Sequence, residues 1–245
     1  MNVPVINRQN EIIVNHLKKY YKKGNLLELC CGEGKNINIL ANSNCYRKAL
    51  GVDFSKQAIK IARQKRIKNA EFIEKNIFDF AAANKFDIVM CLMALEHFRD
   101  DKAASKKICS FVKSNGLLIV SVPAHTRLYS NQDKHIGHYR RYDRQEIIRL
   151  FKKHGFRLKK MYTIGFPVAN IYTFFYNLYL KSMGKNELRT ESTKKSGIQK
   201  MGSNFIMRLG NLFIFPILSK LIKIDKLFLN TDIGTHYIII MQQHG

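Results

Sequence analysis

Apolar and polar positions alternate along the first 150 residues in a regular succession of two kinds of segment. Short apolar runs rich in branched residues alternate with longer stretches whose apolar residues recur every three or four positions. The first pattern indicates buried strands and the second amphipathic helices. The predicted strands are 26–30, 48–52, 71–74, 86–91 and 117–122, and the predicted helices are 7–22, 35–42, 55–66 and 101–113. This succession is typical of a doubly wound parallel sheet.

The remaining chain predicts one more helix, two more strands and two apolar segments. A helix over 144–154 is ended by Gly155, and strands follow at 156–164 and 236–242. Seven strands with a final antiparallel pair would form an α/β, Rossmann-like, mostly parallel sheet. The apolar segments are 163–180 and 204–224, separated by a Lys- and Ser-rich stretch, 181–203, that predicts a mobile loop.

These patterns divide the chain into a core over 1–162, a helical cap over 163–230 and a final strand over 231–245. Neither apolar segment is predicted to span a membrane, because polar or charged residues interrupt both. The cap either packs on the sheet or forms an interfacial helix pair that meets lipid or an acyl-chain substrate.

Charge narrows the possible partners. The chain has 245 residues, 46% of them hydrophobic, with 42 Lys and Arg against 18 Asp and Glu. Its net charge of +24 either favours anionic partners or reflects a Lys-rich solvated surface. The excess is pronounced over residues 126–160, with eleven basic and three acidic side chains. Met1 to Asn10 show no signal-peptide pattern, and the five cysteines have no metal-ligand spacing. We therefore expect reduced cysteines, no metal site and a cytoplasmic protein.

The turn after the first predicted strand carries the most specific chemistry. Residues 26–34 read Leu-Leu-Glu-Leu-Cys-Cys-Gly-Glu-Gly, with Gly32 and Gly34 between a strand and a helix. Glycine there lets a ligand approach the bare backbone. The second strand ends on Asp53, whose carboxylate is placed to accept hydrogen bonds from ribose hydroxyls. A third glycine and a G-K-[ST] motif are missing, so a dinucleotide or phosphate-loop site is not favoured.

With its E-x-x-x-G-x-G spacing, the chain resembles the class I S-adenosylmethionine (SAM)-dependent methyltransferases, whose first motif is (D/E)-x-G-x-G-x-G. Glu28, Gly32 and Gly34 match that motif, and Cys30 stands where the family usually has its first glycine. The resemblance implies SAM as the cofactor and S-adenosylhomocysteine as the product. It also implies ribose binding by Asp53, which could instead simply cap the next helix.

The resemblance extends to the ends of the third and fourth strands. Asn76 lies where the family commonly has an Asp that accepts a hydrogen bond from the adenine amino group, and Asp79 is the alternative. The other cofactor residues that it implies are Phe54, Ile77 (backbone N–H and apolar face), Cys91 and Leu92 (methionine arm) and His97 (mouth of the site). Asn76 could instead be a turn residue, and Cys91 could be plain core.

The loop over 124–142 is predicted to face the methyl acceptor. It resembles the D-x-x-x-G-H-x-R-R-Y signature of a bacterial branch related to the quinone O-methyltransferases and often linked to glycan or lipid biosynthesis. Candidate bases are His138 and His135, with Asp133 orienting one of them. Candidate acceptor contacts are His125, Tyr139, Arg140, Arg141 and Tyr142, of which the two arginines suit a phosphate or carboxylate. Alternatively, Asp133, His138 and residues 140–142 form a salt-bridge cluster that only orders the loop.

Three functions follow as hypotheses. The first is methyl transfer to an O or N atom of a small-molecule or lipid- or glycan-linked acceptor. The second, nucleic-acid methylation, is less favoured, because Cys-Leu-Met-Ala at 91–94 stands where amino-methylating enzymes of nucleic acids carry (N/D/S)-P-P-(Y/F). The third is a degenerate domain that serves as a membrane or protein adaptor. The apolar segments over 163–224 could contact the inner face of a membrane or cover a homodimer interface.

Overall fold

The computed structural model describes residues 4–171, 173 and 222–244. The helices are α1 Pro4–Tyr20, α2 Lys35–Asn42, α3 Lys56–Gln64, α4 Asp101–Cys109, α5 Asn131–His135 and α6 Arg144–Lys152. The strands are β1 Asn25–Leu29, β2 Lys48–Asp53, β3 Ala70–Glu74, β4 Phe86–Leu92, β5 Val112–Pro123, β6 Phe156–Ile164 and β7 His236–Gln243. Short 3-10 helices lie at Leu95–His97, Thr126–Leu128 and Ile222–Phe228.

All seven strands join one sheet in the order β3-β2-β1-β4-β5-β7-β6. Strands β1 to β5 are parallel, and β7 runs antiparallel between β5 and β6. The predicted fold class, a Rossmann-like sheet with a final antiparallel pair, is confirmed. Strand order reverses beside β1, where β2 and β4 flank it on opposite sides, and ligands bind at the carboxyl ends of such a switch point.

The hydrophobic core has two layers, one on each face of the sheet. Alternation along β1 sends Leu26 to one layer and Leu27 to the other. The first layer is completed by helices α1 to α3 and the second by α4 and α6. Because both faces are covered, only the strand ends and the loops that follow them can offer polar groups to a ligand.

Most predicted elements are confirmed, and the differences have local causes. Strand β5 starts at Val112 rather than at 117, because Val112 pairs with Phe86 ahead of a register shift. Helix α4 accordingly ends at Cys109, before the predicted 113. Helix α5 was not predicted; a capping box between Ser130 and Asp133 starts this short turn.

The predicted cap falls largely outside the described residues. Strand β6 runs to Ile164, two residues past the predicted core boundary at 162, and residues 168–171 are helical. The predicted mobile loop over 181–203 lies outside the described residues altogether. The final strand does return to the sheet, as β7. No helix in the described part of the chain has the length and apolar character needed to cross a membrane.

Candidate cofactor and acceptor site

The turn after β1 bends through three residues in the left-handed region. Cys30 has φ 57°, Gly32 φ 52° and Gly34 φ 69°. The Cys31 amide donates to the Val52 carbonyl at 3.1 Å, which ties the turn to the end of β2. Cys30, the residue that replaces the family's first glycine, therefore keeps the backbone conformation that glycine prefers, at a cost of roughly 1–2 kcal/mol.

The two glycines of this turn serve different purposes. A Cβ atom at Gly32 would meet nothing within 4 Å, whereas one at Gly34 would lie 2.7 Å from the ring of Phe72. Gly32 therefore leaves bare backbone facing open space, and Gly34 allows the turn to pack against β3.

These environments predict opposite phenotypes for two alanine variants. Gly32→Ala should weaken SAM binding while lowering the free energy of unfolding only by about 1–2 kcal/mol, the cost of its left-handed backbone. Gly34→Ala should lower the midpoint of thermal unfolding more, because its methyl group overlaps the Phe72 ring. Calorimetric SAM titration and thermal melts of both variants check this. Wild-type SAM affinity in Gly32→Ala would contradict the assignment of the open face to the cofactor.

Asp53 holds this turn while remaining able to accept further hydrogen bonds. Its two carboxylate oxygens accept from the Gly32 and Ser55 amides, each at 2.8 Å. The side-chain cap of α3 is Ser55, which accepts from Ala58 at 3.3 Å, so helix capping is not the role of Asp53. Burial raises the pKa of Asp53, and the two amide bonds oppose that rise. Each oxygen keeps a lone pair for a ribose hydroxyl.

Glu28 is a buried carboxylate beneath the turn. The Asn36 amide donates to its Oε1 at 2.6 Å, and Asn10 of α1 donates in turn to Asn36 at 2.9 Å. Among the described residues, Oε2 has no hydrogen-bond partner. Burial raises the pKa of Glu28 to about 8. An unpartnered buried oxygen at this place fits a ligand that brings a donor group.

The raised pKa of Glu28 makes stability depend on pH with a definite sign. The folded protein holds a proton that the unfolded chain, with a pKa of 4.5, releases, so stability should fall as pH rises from about 4.5 to about 8. We expect Glu28→Gln to flatten this slope and to raise the free energy of unfolding at about pH 9, while weakening SAM binding. Urea unfolding across this range checks the prediction. Glu71→Gln, at an exposed position of β3, is the control.

The predicted adenine side contains two exposed aromatic residues. Phe54, at the end of β2, is 57% exposed, and Phe78, beyond the end of β3, is 45% exposed. Phe78 also packs edge-on against Phe98, with ring centroids 5.9 Å apart. Sequence reasoning missed Phe78, although an aromatic residue two positions after Asn76 was a usable signal. Aromatic faces at this edge can cover a planar base.

Asn76 and Ile77 match their predicted roles only partly. Asn76 is exposed, and its Oδ1 accepts from the Phe78 amide at 3.0 Å, which makes it a turn residue with a second lone pair still available. Ile77 is buried in the core, so its side chain does not offer an apolar face to a ligand. Only its backbone N–H is left for the predicted adenine contact.

Cys91 and Leu92 do not line a common cleft. Their side chains lie in opposite core layers, because consecutive residues of a strand point to opposite faces of the sheet. Both are buried, and Cys91 is a free thiol. The structure therefore favours core packing over the predicted contact of both side chains with the methionine arm.

A buried salt-bridge cluster orders the loop over 124–142. Asp133 accepts from Arg141 Nε at 2.9 and 3.0 Å and pairs with His138 Nδ1 at 2.9 Å. Burial alone would raise the pKa of Asp133, but the bonds from His138 and Arg141 lower it to about 2. The structure thus supports the cluster, rather than an exposed base, as the role of Asp133 and His138.

Two predicted acceptor contacts are not supported. Arg141 is 6% exposed and donates to Asp133 and to the Ala124 carbonyl. Tyr142 is buried, and its hydroxyl donates to Asp101 at 3.0 Å. Arg140, Arg141 and Tyr142 are consecutive in the sequence, but the fold buries Arg141 and Tyr142.

Four other predicted residues of this loop are differently placed. Tyr139 is 54% exposed, and His135 is half-buried, with an Nδ1 that has no partner among the described residues. Arg140 is partly exposed but already pairs with Asp101 at 3.0 Å. His125 is buried at the end of β5 with φ 62°, and its Nδ1 lies 3.4 Å from the Tyr237 hydroxyl. Tyr139 is therefore the most accessible of the predicted acceptor contacts.

The 124–142 loop contacts the 3-10 helix Leu95–His97, which follows β4. The Tyr139 amide donates to the Glu96 carbonyl at 2.9 Å, and His97 Nδ1 lies 3.2 Å from the Gly137 carbonyl. The His97 and His138 rings meet edge-on with centroids 4.8 Å apart. The structure thus brings His97, predicted at the mouth of the cofactor site, into contact with the predicted acceptor loop.

Comparison with known proteins identifies the family. A family model described as a methyltransferase domain matches residues 10–160. A ubiquinone biosynthesis O-methyltransferase of Idiomarina loihiensis is 30% identical over 115 residues, 44% of this chain. The alignment spans 46% of that relative, so the chain covers about half its length. The chain belongs to the methyltransferase domain family.

Solved structures support the same fold. A putative methyltransferase from Bacillus halodurans matches with a TM-score of 0.60 and 14% identity, over 95% of this chain and 99% of that one. The N-methyltransferase NodS of Bradyrhizobium japonicum, solved with S-adenosyl-L-homocysteine, matches with a TM-score of 0.54 and 18% identity, over 67% of this chain and 81% of that one. Together with the family, these matches support the prediction of SAM as the cofactor.

Proposed function

We propose that this protein transfers a methyl group from SAM to an O or N atom of a small-molecule or lipid- or glycan-linked acceptor. The contact between the Gly32 amide and the Asp53 carboxylate carries the proposal. It places bare backbone and a carboxylate side by side at the carboxyl edge of the sheet, in a chain of the methyltransferase family. A nucleoside with a flexible amino-acid arm suits such a site.

The residues present fit that cofactor. Asp53 has lone pairs for ribose hydroxyls, Gly32 leaves open space over its Cα, and Phe54 presents an exposed ring for the adenine. The unpartnered oxygen of Glu28 would accept from a donor of the methionine part. When bound, the cofactor supplies an activated methyl group, so the protein mainly has to bind and orient the acceptor.

The acceptor would lie against the ends of β4 and β5. The loop over 124–142 contacts the 3-10 helix after β4 through the Tyr139 amide, and the exposed Tyr139 ring offers an apolar and hydrogen-bonding surface. The eleven basic residues over 126–160 favour an anionic acceptor, such as one that carries a phosphate or carboxylate. We also propose that residues 163–224 contact either a membrane or a second copy of the chain. Most of these residues lie outside the described ranges.

A labelling experiment tests the acceptor class. The protein is incubated with methyl-labelled SAM and, separately, with a small-molecule extract, a lipid extract and total RNA. Label is expected in the first or second fraction and absent from RNA. Asp53→Ala is the control for transfer that does not depend on the cofactor site. Label in RNA alone would favour the nucleic-acid alternative that the net charge of +24 suggests.

A further inference from the structure

Three potential metal ligands from two separate loops meet beside the predicted acceptor region. Glu96 and His97 follow β4, and His138 belongs to the loop that follows β5. One ligand atom from each lies within 4.8 Å of the others. His138 Nε2 is 3.7 Å from Glu96 Oε1. The expectation of no metal site depended on cysteine spacings, and this group contains no cysteine and has its two histidines 41 positions apart, at 97 and 138.

The Glu96 carboxylate is the strongest indication that a ligand belongs here. Its side chain is 0% exposed, and neither oxygen has a hydrogen-bond partner among the described residues. An unpaired buried carboxylate is costly, so such groups are normally protonated, paired with a cation or bound to a metal. The only cationic candidate in reach of Glu96 by ion-pair distance in the described chain is His138, at 3.7 Å. That distance exceeds a hydrogen bond.

Both histidines have the same ring nitrogen, Nδ1, beside a hydrogen-bond acceptor. His138 Nδ1 bonds to the Asp133 carboxylate at 2.9 Å, and His97 Nδ1 lies 3.2 Å from the Gly137 carbonyl. Each acceptor assigns the proton to Nδ1 and leaves Nε2 with a free lone pair. Metal-binding histidines are held in this manner, with one nitrogen on the metal and the other donating to a carboxylate or a backbone carbonyl.

We propose that Glu96, His97 and His138 form a binding site for a divalent transition-metal cation such as Zn²⁺. Two imidazoles and one carboxylate suit first-row transition metals better than Mg²⁺ or Ca²⁺, which prefer oxygen ligands. Bonds of about 2.0–2.1 Å in a tetrahedral site require ligand atoms roughly 3.3 Å apart. The three side chains must therefore draw together, and His97 is the exposed member of the three.

Three protein ligands leave at least one coordination position open. If the proposed methyl transfer holds, a hydroxyl of the acceptor could occupy that position, where a metal would favour its deprotonation. This consequence rests on the proposed function. Metal binding itself does not, and can be measured without SAM or an acceptor.

The test is titration of the chelator-treated, intact protein with Zn²⁺, and with Co²⁺ as a spectroscopic probe. We expect binding of one Zn²⁺ per chain and visible Co²⁺ absorption bands typical of tetrahedral coordination. Glu96→Gln and His97→Ala should each weaken Zn²⁺ binding at least about tenfold. His154→Ala is the matched control, since His154 lies near Ser105 of α4, outside the cluster, and it should bind as wild type.

Thermal unfolding separates a metal ligand from a merely structural residue. Zn²⁺ should raise the unfolding midpoint of the wild type and not that of Glu96→Gln. Without metal, Glu96→Gln should be at least as stable as wild type, because it removes an unpaired buried carboxylate. Wild-type Zn²⁺ affinity in Glu96→Gln and His97→Ala would assign the metal to other groups, such as the five cysteines, and overturn the proposal. Absence of Zn²⁺ binding by the wild type would overturn it equally.

Discussion

Asp53→Ala is expected to reduce SAM affinity roughly 100-fold or more, because it removes the proposed acceptor for both ribose hydroxyls, and bonds to charged groups contribute about 1.5–3 kcal/mol each. In the wild type, the Gly32 amide donates to Asp53 at 2.8 Å, and the variant leaves this amide without that acceptor. The turn would then lose part of its preorganised shape as well as its contact with the cofactor. Isothermal titration with SAM measures the combined effect.

Two controls separate these contributions. Glu71→Ala removes a carboxylate from an exposed position near the start of β3, at the end of the strand away from the turn, and it should bind SAM as wild type. A 2′-deoxy analogue of S-adenosylhomocysteine should bind the wild type more weakly than S-adenosylhomocysteine does, and Asp53→Ala should no longer distinguish the two. A variant that still discriminates between them would show that Asp53 does not contact the ribose.

Asp133→Ala is expected to cause the largest loss of stability, about 3–5 kcal/mol, because it leaves the buried Arg141 guanidinium without its carboxylate. Arg141 has only one other described acceptor, the Ala124 carbonyl at 3.4 Å. His138 loses its partner at 2.9 Å in the same variant. Urea unfolding followed by circular dichroism measures the change in the free energy of unfolding.

A double variant shows whether the unpaired charge of Arg141 causes this loss of stability. Asp133→Ala combined with Arg141→Met removes both ends of the pair and should be more stable than Asp133→Ala alone. Arg140→Met is the control. It should lower the free energy of unfolding less than Asp133→Ala does, because Arg140 is partly exposed where it pairs with Asp101. If the double variant were no more stable than the single one, the loss would have to come from the bonds to Ser130 and His138 instead.

The local part of the cofactor site was predictable because its signals lie within a few residues of one another. Gly32 and Gly34 follow a strand at fixed spacing, and Asp53 ends the next strand, so parallel pairing of β1 with β2 brings them together. Backbone geometry explains even the departure at Cys30, which has the left-handed φ expected of the glycine that it replaces.

The acceptor side was less predictable because burial, rather than residue type, assigns its roles. Arg140, Arg141 and Tyr142 are adjacent in sequence, yet only Arg140 retains an exposed part. An aromatic residue at 78 is a signal in the sequence, but its exposure depends on how the loop after β3 packs against Phe98. Cys91 and Leu92 were assigned to one ligand although strand alternation sends them to opposite faces.

By itself the sequence determined the succession of strands and helices, the fold class and the glycine turn with Asp53, since each depends on periodicity or on short-range spacing. Only the tertiary structure decided that Asp133, His138 and Arg141 form a buried cluster and that Glu96 and His97 meet His138. Those contacts join loops after different strands, and their energies depend on desolvation, which residue type and spacing do not specify. The glycine turn could therefore be predicted from the sequence, whereas the contacts among the charged residues of the later loops could be determined only from the tertiary structure.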